Sequence, residues 1–253
     1  MSFKNNYAVV SGGASGLGLG VVKKVVNKGG KVAILDINQQ AGENVMAEFG
    51  ENVSFYKVDI TQDNEVDSAM DKIACNFPRI DLVVSCAGIL GNGRLLSKQG
   101  PMPTEFFRKV VDVNLMGAFY LTRAATRLMS KQQPDSKGER GVIIHTASIA
   151  AFEGQFGQVA YAATKSAIVG MILPLAREFA RSAIRIMAIA PGIFETPMLD
   201  NVSDEIKAQL CATVPFPPRL GTADEFALLV EQITDNSMLN GSVIRLDGAA
   251  RLQ

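Results

Sequence analysis

The sequence of 253 residues has no tryptophan, a single histidine and only three cysteines. Cys75, Cys86 and Cys211 are far apart and odd in number, which argues against a disulfide framework and against a zinc site. His145 stands inside the apolar run GVIIHTAS, where a packed side chain is its expected role, so most Ser-His-Asp and His-metal chemistries are excluded. We expect no metal cofactor and a reducing compartment.

The chain also lacks net charge and long apolar runs. Its 25 acidic residues balance 25 basic residues, so it has no overall field that would attract nucleic acid or an anionic membrane. No uninterrupted apolar stretch reaches about 18 residues, and the apolar segment near the N-terminus is too short for a signal peptide. We expect a soluble, cytoplasmic protein that binds a small molecule rather than nucleic acid or a membrane.

Hydrophobic residues are abundant, at 47% of the chain, and they recur in a regular order. Short runs rich in valine and isoleucine, such as YAVV, KVAILDI and DLVVS, alternate with amphipathic segments, which is typical of βαβ units. This rhythm predicts one domain over residues 1–253: a Rossmann-like α/β fold with a doubly wound, seven-stranded parallel sheet in three αβα layers. Residues 131–140 are predicted to be a surface loop, and residues 193–218 a substrate lid because this proline-rich connection is unusually long.

The segment VVSGGASGLGLG follows the first predicted strand and opens a helix. Gly12, Gly16 and Gly18 allow a tight turn and a close backbone approach, and the free amides at the helix start can face a pyrophosphate. The spacing is G-x-x-x-G-x-G rather than G-x-G-x-x-G. This turn predicts a dinucleotide site.

Asp36 ends the second predicted strand, where a carboxylate can accept both hydroxyl groups of an adenosine ribose. The same charge would repel a 2′-phosphate, and neither Ala14 nor Asn38 offers a cation to bind one. We therefore predict NAD rather than NADP as the cofactor. The alternative is an aspartate that only caps the next turn.

Tyr161 and Lys165 in YAATKSA are four residues apart in a predicted helix, so their side chains share one helical face. Ser148 ends the strand GVIIHTAS, and ligands bind at the carboxyl ends of strands in open α/β sheets. These residues, the glycine turn, SCAG at a strand end and the helical Asn114 of DVNLMG together resemble the short-chain dehydrogenase/reductase family over essentially the whole chain.

The resemblance implies a catalytic group of Asn114, Ser148, Tyr161 and Lys165. Tyr161 would exchange the proton of a substrate hydroxyl, and Ser148 would hold the substrate oxygen. Lys165 would favour the phenolate of Tyr161 and bind the nicotinamide ribose, and Asn114 would hold a water that links Lys165 to solvent.

Further cofactor contacts are implied in the same way. Asp59 and Ile60 match the pair that flanks adenine, although an acidic residue after a strand is also an ordinary helix cap. SCAG departs from the usual Asn-Asn-Ala-Gly, and Cys86 is expected to be a small buried group rather than a nucleophile. The complete implied set is Gly12, Ser15, Gly16, Leu17, Gly18, Asp36, Asp59, Ile60, Cys86, Ala87, Gly88, Tyr161, Lys165, Pro191, Gly192, Phe194 and Thr196.

Segments such as GGASGLGL, AAFEGQ and VPFPPRLG are similar to one branch of the family, whose members oxidise 3-hydroxyacyl-CoA thioesters and some hydroxysteroids. The resemblance implies similar substrates, bound by Ser148 and Tyr161. Gln155 lies between these two residues in the sequence and is a candidate to contact the substrate; its alternative role is to bond its own loop. The segment after Gly88 departs from that branch. Arg94, Lys98 and Lys207 are candidates to meet a CoA phosphate or else are solvated surface charges. A predicted apolar wall of the lid contains Met198, Leu199, Leu210 and Val214.

Two other functions stay open. One is a general secondary-alcohol or cyclic-ketone dehydrogenase that uses the same apolar pocket. The other is an NAD-binding scaffold subunit of a larger complex, although folding alone does not require the four catalytic-type residues. Family members usually form tetramers with two-fold axes, and the predicted helices around residues 105–132 and Tyr161 are apolar on more than one side, so we expect a homotetramer, a dimer of dimers, with a monomer as the alternative.

Overall fold

The computed structural model describes residues 3–197 and 204–252, and its centre is a seven-stranded parallel sheet. The strand order is β3-β2-β1-β4-β7-β8-β9, and the predicted doubly wound sheet is confirmed. A separate two-stranded hairpin is formed by β5 and β6. The strands are β1 Tyr7–Ser11, β2 Lys31–Asp36, β3 Val53–Lys57, β4 Leu82–Ser85, β5 Leu96–Ser97, β6 Gly100–Pro101, β7 Gly141–Thr146, β8 Ile184–Pro191 and β9 Val243–Leu246.

Helices cover both faces of the sheet, as the three-layer prediction requires. One core lies between the sheet and α1, α2 and α8, and the other lies between the sheet and α3, α5 and α6. All eight residues of β8 are buried, which explains its unbroken apolar sequence. The helices are α1 Gly16–Asn27, α2 Gln39–Phe49, α3 Asp63–Asn76, α4 Thr104–Val111, α5 Gly117–Met129, α6 Val159–Phe179, α7 Asp204–Ala212 and α8 Ala223–Asp235.

The sheet order reverses direction between β1 and β4. From β1 the chain winds outward through β2 and β3, and from β4 it winds the other way through β7, β8 and β9. Such a switch point leaves a crevice at the carboxyl ends of the strands, where ligands bind. The glycine turn follows β1, and SCAG spans the end of β4, so both lie at this crevice.

One stretch differs from its predicted structure, and a second stretch, for which the sequence predicts no structure, forms a hairpin. The predicted helix around residues 105–132 is interrupted by a π-helical turn at Asp112–Met116, which separates α4 from α5. At the start of α5, a Cβ atom on Gly117 would lie only 2.8 Å from the side chain of Ile60, so the helix passes very close to the loop after β3. The connection after β4, whose fold the sequence pattern did not define, contains the β5–β6 hairpin.

Helix α6 is long and apolar enough to span a membrane by length and composition alone, because the mean hydropathy reaches 1.5 over a stretch of 18 residues within 159–182. It packs on the sheet and carries the buried Lys165, so we interpret it as a core helix. Only about a third of this apolar stretch is buried, however, and the side chain of Leu173 is 47% exposed. One side of α6 therefore faces away from the core of its own chain.

Candidate active site

The start of α1 has the donor groups that a pyrophosphate requires. Within the described residues, the N-cap Ser15 makes no side-chain capping bond, and the first turn of α1 has no acidic residue. The first amides of a helix have no partner inside it, and the helix dipole favours an anion there. The turn therefore fits the phosphates of a dinucleotide.

Two glycines of this turn are required by close packing. A Cβ atom on Gly18 would lie 2.2 Å from the carbonyl oxygen of Gly12, and one on Gly12 would lie 2.7 Å from the amide nitrogen of Ala87. Both distances are shorter than any real contact, so a larger residue at either position would displace the turn. The packing also places Cys86 and Ala87, both predicted cofactor contacts, beside the glycine turn.

Asp36 lies beside the glycine turn at the carboxyl end of β2. Its Oδ2 atom accepts a hydrogen bond from the Ala14 amide at 3.2 Å, and its Oδ1 atom accepts one from the Asn38 amide at 3.0 Å. The second bond closes the next turn, as the alternative interpretation expects, but the first joins Asp36 to the dinucleotide turn. A carboxylate has about four acceptor sites, so both oxygens can still accept ribose hydroxyls.

Asp59 and Ile60 follow β3 at the same edge of the sheet. The Oδ1 atom of Asp59 accepts bonds from the amide and the hydroxyl of Thr61, at 3.0 and 2.8 Å. Helix α3 begins only at Asp63, with Gln62 as its N-cap, so Asp59 closes a turn before the helix rather than capping it. Ile60 is buried. Contact of this pair with adenine stays a prediction.

The structure brings the four predicted catalytic side chains together at the ends of β4 and β7. The Nζ atom of Lys165 lies 5.6 Å from the ring centre of Tyr161, and the Tyr161 hydroxyl shares a hydrogen bond with Ser148. A Cβ atom on Gly88 would lie 3.1 Å from the Oδ1 of Asn114 and 3.7 Å from the Nζ of Lys165. Tyr161 and Lys165 therefore face the crevice beside the glycine turn.

Lys165 is the buried member of its pair with Tyr161, with only 6% of its surface exposed. Its Nζ donates to the carbonyl oxygen of Thr146 at 2.8 Å, and burial lowers its pKa to about 8. At neutral pH Lys165 is therefore still mostly charged, but a modest further change in its surroundings would neutralise it.

That Lys165 favours the phenolate of Tyr161 stays a prediction, because it applies to the site with a positive nicotinamide bound. Burial raises the pKa of Tyr161, and the hydrogen bond with Ser148 opposes this rise without cancelling it. The ammonium group of Lys165 points to the Thr146 carbonyl, so its charge is partly used there. In the protein alone, the Tyr161 phenol is therefore harder to ionise than an ordinary tyrosine.

Asn114 lies in the π-helical turn and is buried. Its side chain exchanges two hydrogen bonds with the backbone of Ile89, at 2.8 and 2.9 Å, and also donates to the hydroxyl of Thr164 at 3.3 Å. Asn114 thus joins the loop after β4 to α6, one residue before Lys165. The π turn is a frequent feature of functional sites, but no periodicity in the sequence reveals it. The bridging water predicted for Asn114 stays a prediction.

Cys86 and His145 are packed groups, as expected. The Thr146 hydroxyl donates to the Cys86 sulfur at 3.4 Å, and burial raises the pKa of the Cys86 thiol to about 11, so this thiol is protonated at neutral pH and a poor nucleophile. The Nε2 atom of His145 lies 2.9 Å from the hydroxyl of Thr122 on α5. Burial lowers the pKa of His145 to about 4, which makes it a neutral core residue.

The loop after β8 lies over the glycine turn. The Gly192 amide donates to the carbonyl of Leu246 at 2.9 Å, and Phe194 pairs with Gly221. A Cβ atom on Gly16 would lie 3.6 Å from the methyl carbon of Thr196, so Thr196 is close to the predicted pyrophosphate position. The cofactor contacts of Pro191, Gly192, Phe194 and Thr196 stay predictions.

The predicted substrate side is formed by the hairpin and the loop before α6. The Gly93 amide donates to the carbonyl of Gly157 at 2.8 Å, and the guanidinium of Arg94 stacks on the ring of Phe156 at 4.7 Å. The ring of Phe156 is 81% exposed. The backbone amide of half-buried Gln155 donates to the side-chain oxygen Oε1 of Gln158 at 3.0 Å. This bond supports the loop-bonding alternative and does not exclude a substrate contact. No pattern in the sequence indicates that Arg94 stacks on Phe156.

The predicted lid is described in part. Val214 is buried against Ile149 and Ala250, so it packs inside the fold. Met198, Leu199 and the side chain of Lys207 lie outside the described residues.

The comparisons with known proteins agree with this geometry. The family model "short chain dehydrogenase" matches residues 6–207. The chain is 46% identical to human 3-hydroxyacyl-CoA dehydrogenase type-2 over 254 aligned residues, which cover 100% of this chain and 97% of the human protein. It is 42% identical to the Drosophila melanogaster protein of the same name, with 98% of each chain covered. A crystal structure of 3-hydroxyacyl-CoA dehydrogenase type-2 from Mycobacterium avium matches with a TM-score of 0.94 and 36% identity, over 99% of this chain and 98% of that one. The resemblance found in the sequence is confirmed.

Proposed function

Because this chain belongs to the short-chain dehydrogenase family, we propose that it transfers hydride between NAD and a secondary alcohol or ketone of the 3-hydroxyacyl-CoA or hydroxysteroid type. The observation that carries this proposal is the convergence of Tyr161, Lys165, Ser148 and Asn114 beside the glycine turn. Nothing in the packing of an α/β domain requires these four side chains to meet at a ligand crevice.

Each residue has a stated task in this chemistry. A bound nicotinamide would supply the acceptor for the hydride that leaves the carbinol carbon of the substrate. Tyr161 takes the hydroxyl proton, which needs a pKa well below its usual value, since ionising an ordinary phenol at pH 7 costs about 4 kcal/mol. Ser148 holds the substrate oxygen as charge develops on it, and Lys165 contributes positive charge next to the phenolate.

The choice of NAD rather than NADP is supported by Asp36. We expect Asp36→Asn to weaken NAD binding about tenfold to hundredfold, because a hydrogen bond to a charged group contributes about 1.5 to 3 kcal/mol. NADP binding should strengthen, since the amide no longer repels a 2′-phosphate. Fluorescence titration of both cofactors measures this, with Asp71→Asn on the exposed surface of α3 as the matched control. An unchanged ratio of the two affinities would contradict the prediction.

A CoA thioester substrate is supported by the names of the relatives and by Arg94 on the hairpin rim. Its guanidinium lies over the exposed ring of Phe156, and Leu95 and Leu96 beside it are also exposed. Apolar surface next to a cation suits an acyl chain linked to an anionic carrier. A general alcohol dehydrogenase that acts on uncharged substrates would not need this cation.

Initial rates of NADH oxidation with acetoacetyl-CoA, a simple apolar ketone and a steroid ketone test the substrate class. We expect Arg94→Gln to raise the KM for acetoacetyl-CoA about threefold to tenfold, because an exposed ion pair contributes about 1 kcal/mol. The KM for the uncharged ketone should not change. Lys72→Gln, at an exposed lysine of α3, is the control. Equal rates for CoA and non-CoA substrates, with no effect of Arg94→Gln, would favour the general alcohol dehydrogenase. Absence of NAD-linked turnover with every carbonyl substrate would favour the scaffold subunit.

We also propose that the protein is a cytoplasmic homotetramer. The tetramer is supported by apolar side chains that the core of the chain does not cover, such as Phe119 on α5 and Leu173 on α6. A reducing compartment is supported by the three cysteines, which are all free in the structure.

A further inference from the structure

A compact group of charged side chains lies at the carboxyl end of β9, outside the catalytic group. Arg245 donates two bonds to the carboxylate of Glu153, at 2.9 and 3.1 Å, and its Nε donates to Asp247 at 2.7 Å. Arg245 also donates to the Ala250 carbonyl at 3.1 Å and stacks on the ring of Phe152 at 5.5 Å. We call Arg245, Glu153 and Asp247 the Arg245 cluster. The guanidinium fork of Arg245 is nearly fully used within it.

The first partner of the cluster is the turn that carries Ser148. A 3-10 turn at Ile149–Ala151 follows Ser148 directly, and the Glu153 amide donates back to the Ile149 carbonyl at 3.0 Å. The Ser148 Oγ accepts a bond from the Ala150 amide at 3.1 Å, so the rotamer of Ser148 depends on this turn. A displacement of the turn would move the hydroxyl that bonds Tyr161.

Two more segments of the site contact Asp247 or the residue that follows it. The first is the loop after β8, because a Cβ atom on Gly192 would lie 2.9 Å from the Asp247 Cα. The second is the end of the lid, whose Phe216 amide donates to the Gly248 carbonyl at 3.4 Å. The cluster thus connects the Ser148 turn with the predicted nicotinamide loop and the lid.

The Ser148 turn has a second, separate anchor on α6. The hydroxyl of Ser166, the residue after Lys165, donates to the carbonyl of Ala151 at 2.7 Å. One end of the turn is therefore held by the helix of Tyr161, and the other by the last strand of the sheet. The position of Ser148 relative to the cofactor crevice depends on both anchors.

We infer that the Arg245 cluster is a positioning device that fixes Ser148 against Tyr161 and in register with the loop after β8. The inference rests on the proposed function, because it assigns the cluster a role in proton exchange at Tyr161. Arg245, Glu153 and Asp247 are positioning residues, since they act through Ser148 and do not face the reacting atoms. The proton exchange with the substrate is still carried out by the catalytic group.

Kinetics of Glu153→Gln and Arg245→Lys in the full-length protein test this role. We expect kcat for acetoacetyl-CoA reduction to fall about tenfold in both variants, while the Kd for NAD changes less than twofold. The apparent pKa of the catalytic base should rise in the pH profile, because the hydrogen bond with Ser148 opposes the raised pKa of Tyr161. Arg251→Gln is the control: Arg251 contacts Glu153 at 3.4 Å and Asp247 at 3.3 Å, but its side chain is 57% exposed, so these ion pairs contribute little to holding the turn. It should keep kcat within twofold.

Hydrogen exchange followed by mass spectrometry gives a readout without catalysis. In Glu153→Gln, the amides of residues 149–157 should exchange faster, while those of β7 and the middle of α6 stay protected. Wild-type kcat with wild-type exchange in both variants overturns the inference, and so does an equal loss in Arg251→Gln. Failure of the wild-type protein to turn over any carbonyl substrate would instead refute the proposed function, and the exchange experiment would still decide whether the cluster holds the turn.

Discussion

Replacing Tyr161 by phenylalanine is expected to lower kcat by about three orders of magnitude, since a positioned general acid or base contributes roughly 10² to 10⁴ in rate. The phenol of Tyr161 is the group at the crevice that shares a hydrogen bond with Ser148. The Nζ atom of Lys165 lies 5.6 Å from the centre of the Tyr161 ring. Phenylalanine keeps the ring and its packing, so the fold and the cofactor site should be preserved. NAD should bind with less than a threefold change in Kd.

Steady-state kinetics of alcohol oxidation and fluorescence titration of NAD measure the two quantities separately. Tyr56→Phe is the matched control, because Tyr56 lies on the edge strand β3, where its hydroxyl accepts a bond from Asn76, and it takes no part in the site. Near wild-type turnover of Tyr161→Phe with intact NAD binding would refute the assignment of the base. Loss of NAD binding would show a structural role in place of a chemical one.

The pH profile of the wild-type protein belongs to the same prediction. The rate of alcohol oxidation should rise with pH as Tyr161 loses its proton, with a midpoint well below the pKa of an ordinary tyrosine. The protein's own residues raise that pKa, so this low midpoint requires the charge of the bound cofactor. The phenol should therefore titrate at higher pH in the cofactor-free protein than in the complex.

The sequence predicts the sheet and the catalytic pair because both depend on local pattern. Buried strands such as β8 are continuous apolar runs, and Tyr161 and Lys165 are close in sequence, so helical periodicity alone brings them to one face. The glycine turn is equally local. In each of these features, residues that are close in the sequence are also close in the structure.

Contacts between distant segments could not be predicted in this way. The bond between Arg245 and Glu153 joins residues 92 positions apart, and the bonds between Asn114 and Ile89 join residues 25 positions apart. Helical periodicity does not reveal the π turn at Asp112–Met116 either, because a turn with one extra residue is made of the same residue types as an ordinary helical turn. The pKa of Tyr161 in the protein alone could not be predicted for a related reason: burial and the orientation of the Lys165 ammonium group are tertiary properties.

The second large effect is expected for Lys165→Met, which should lower kcat/KM at least a hundredfold with little change in stability at pH 7. Methionine retains most of the aliphatic volume of lysine but removes the charge that favours the phenolate. In stability two terms oppose each other. Removing a buried ammonium with a pKa near 8 relieves about 3 kcal/mol, at about 1.36 kcal/mol per pKa unit, and an unsatisfied Thr146 carbonyl costs about 1 to 3 kcal/mol.

The pH dependence of stability separates this interpretation from a purely structural lysine. The pKa of Lys165 is about 8 in the folded protein against an ordinary value of 10.5, so between these values the unfolded chain binds more protons than the folded one. The free energy of unfolding contributed by this group therefore rises with pH from about 8 to 10.5, by up to about 3 kcal/mol. Urea unfolding across that range should show the rise in the wild-type protein and not in Lys165→Met. Lys23→Met, at an exposed lysine of α1, should keep both the rise and the activity. A parallel pH dependence in wild type and Lys165→Met would mean that the ammonium is not held in the interior next to Tyr161, and the electrostatic account of the base would then fail.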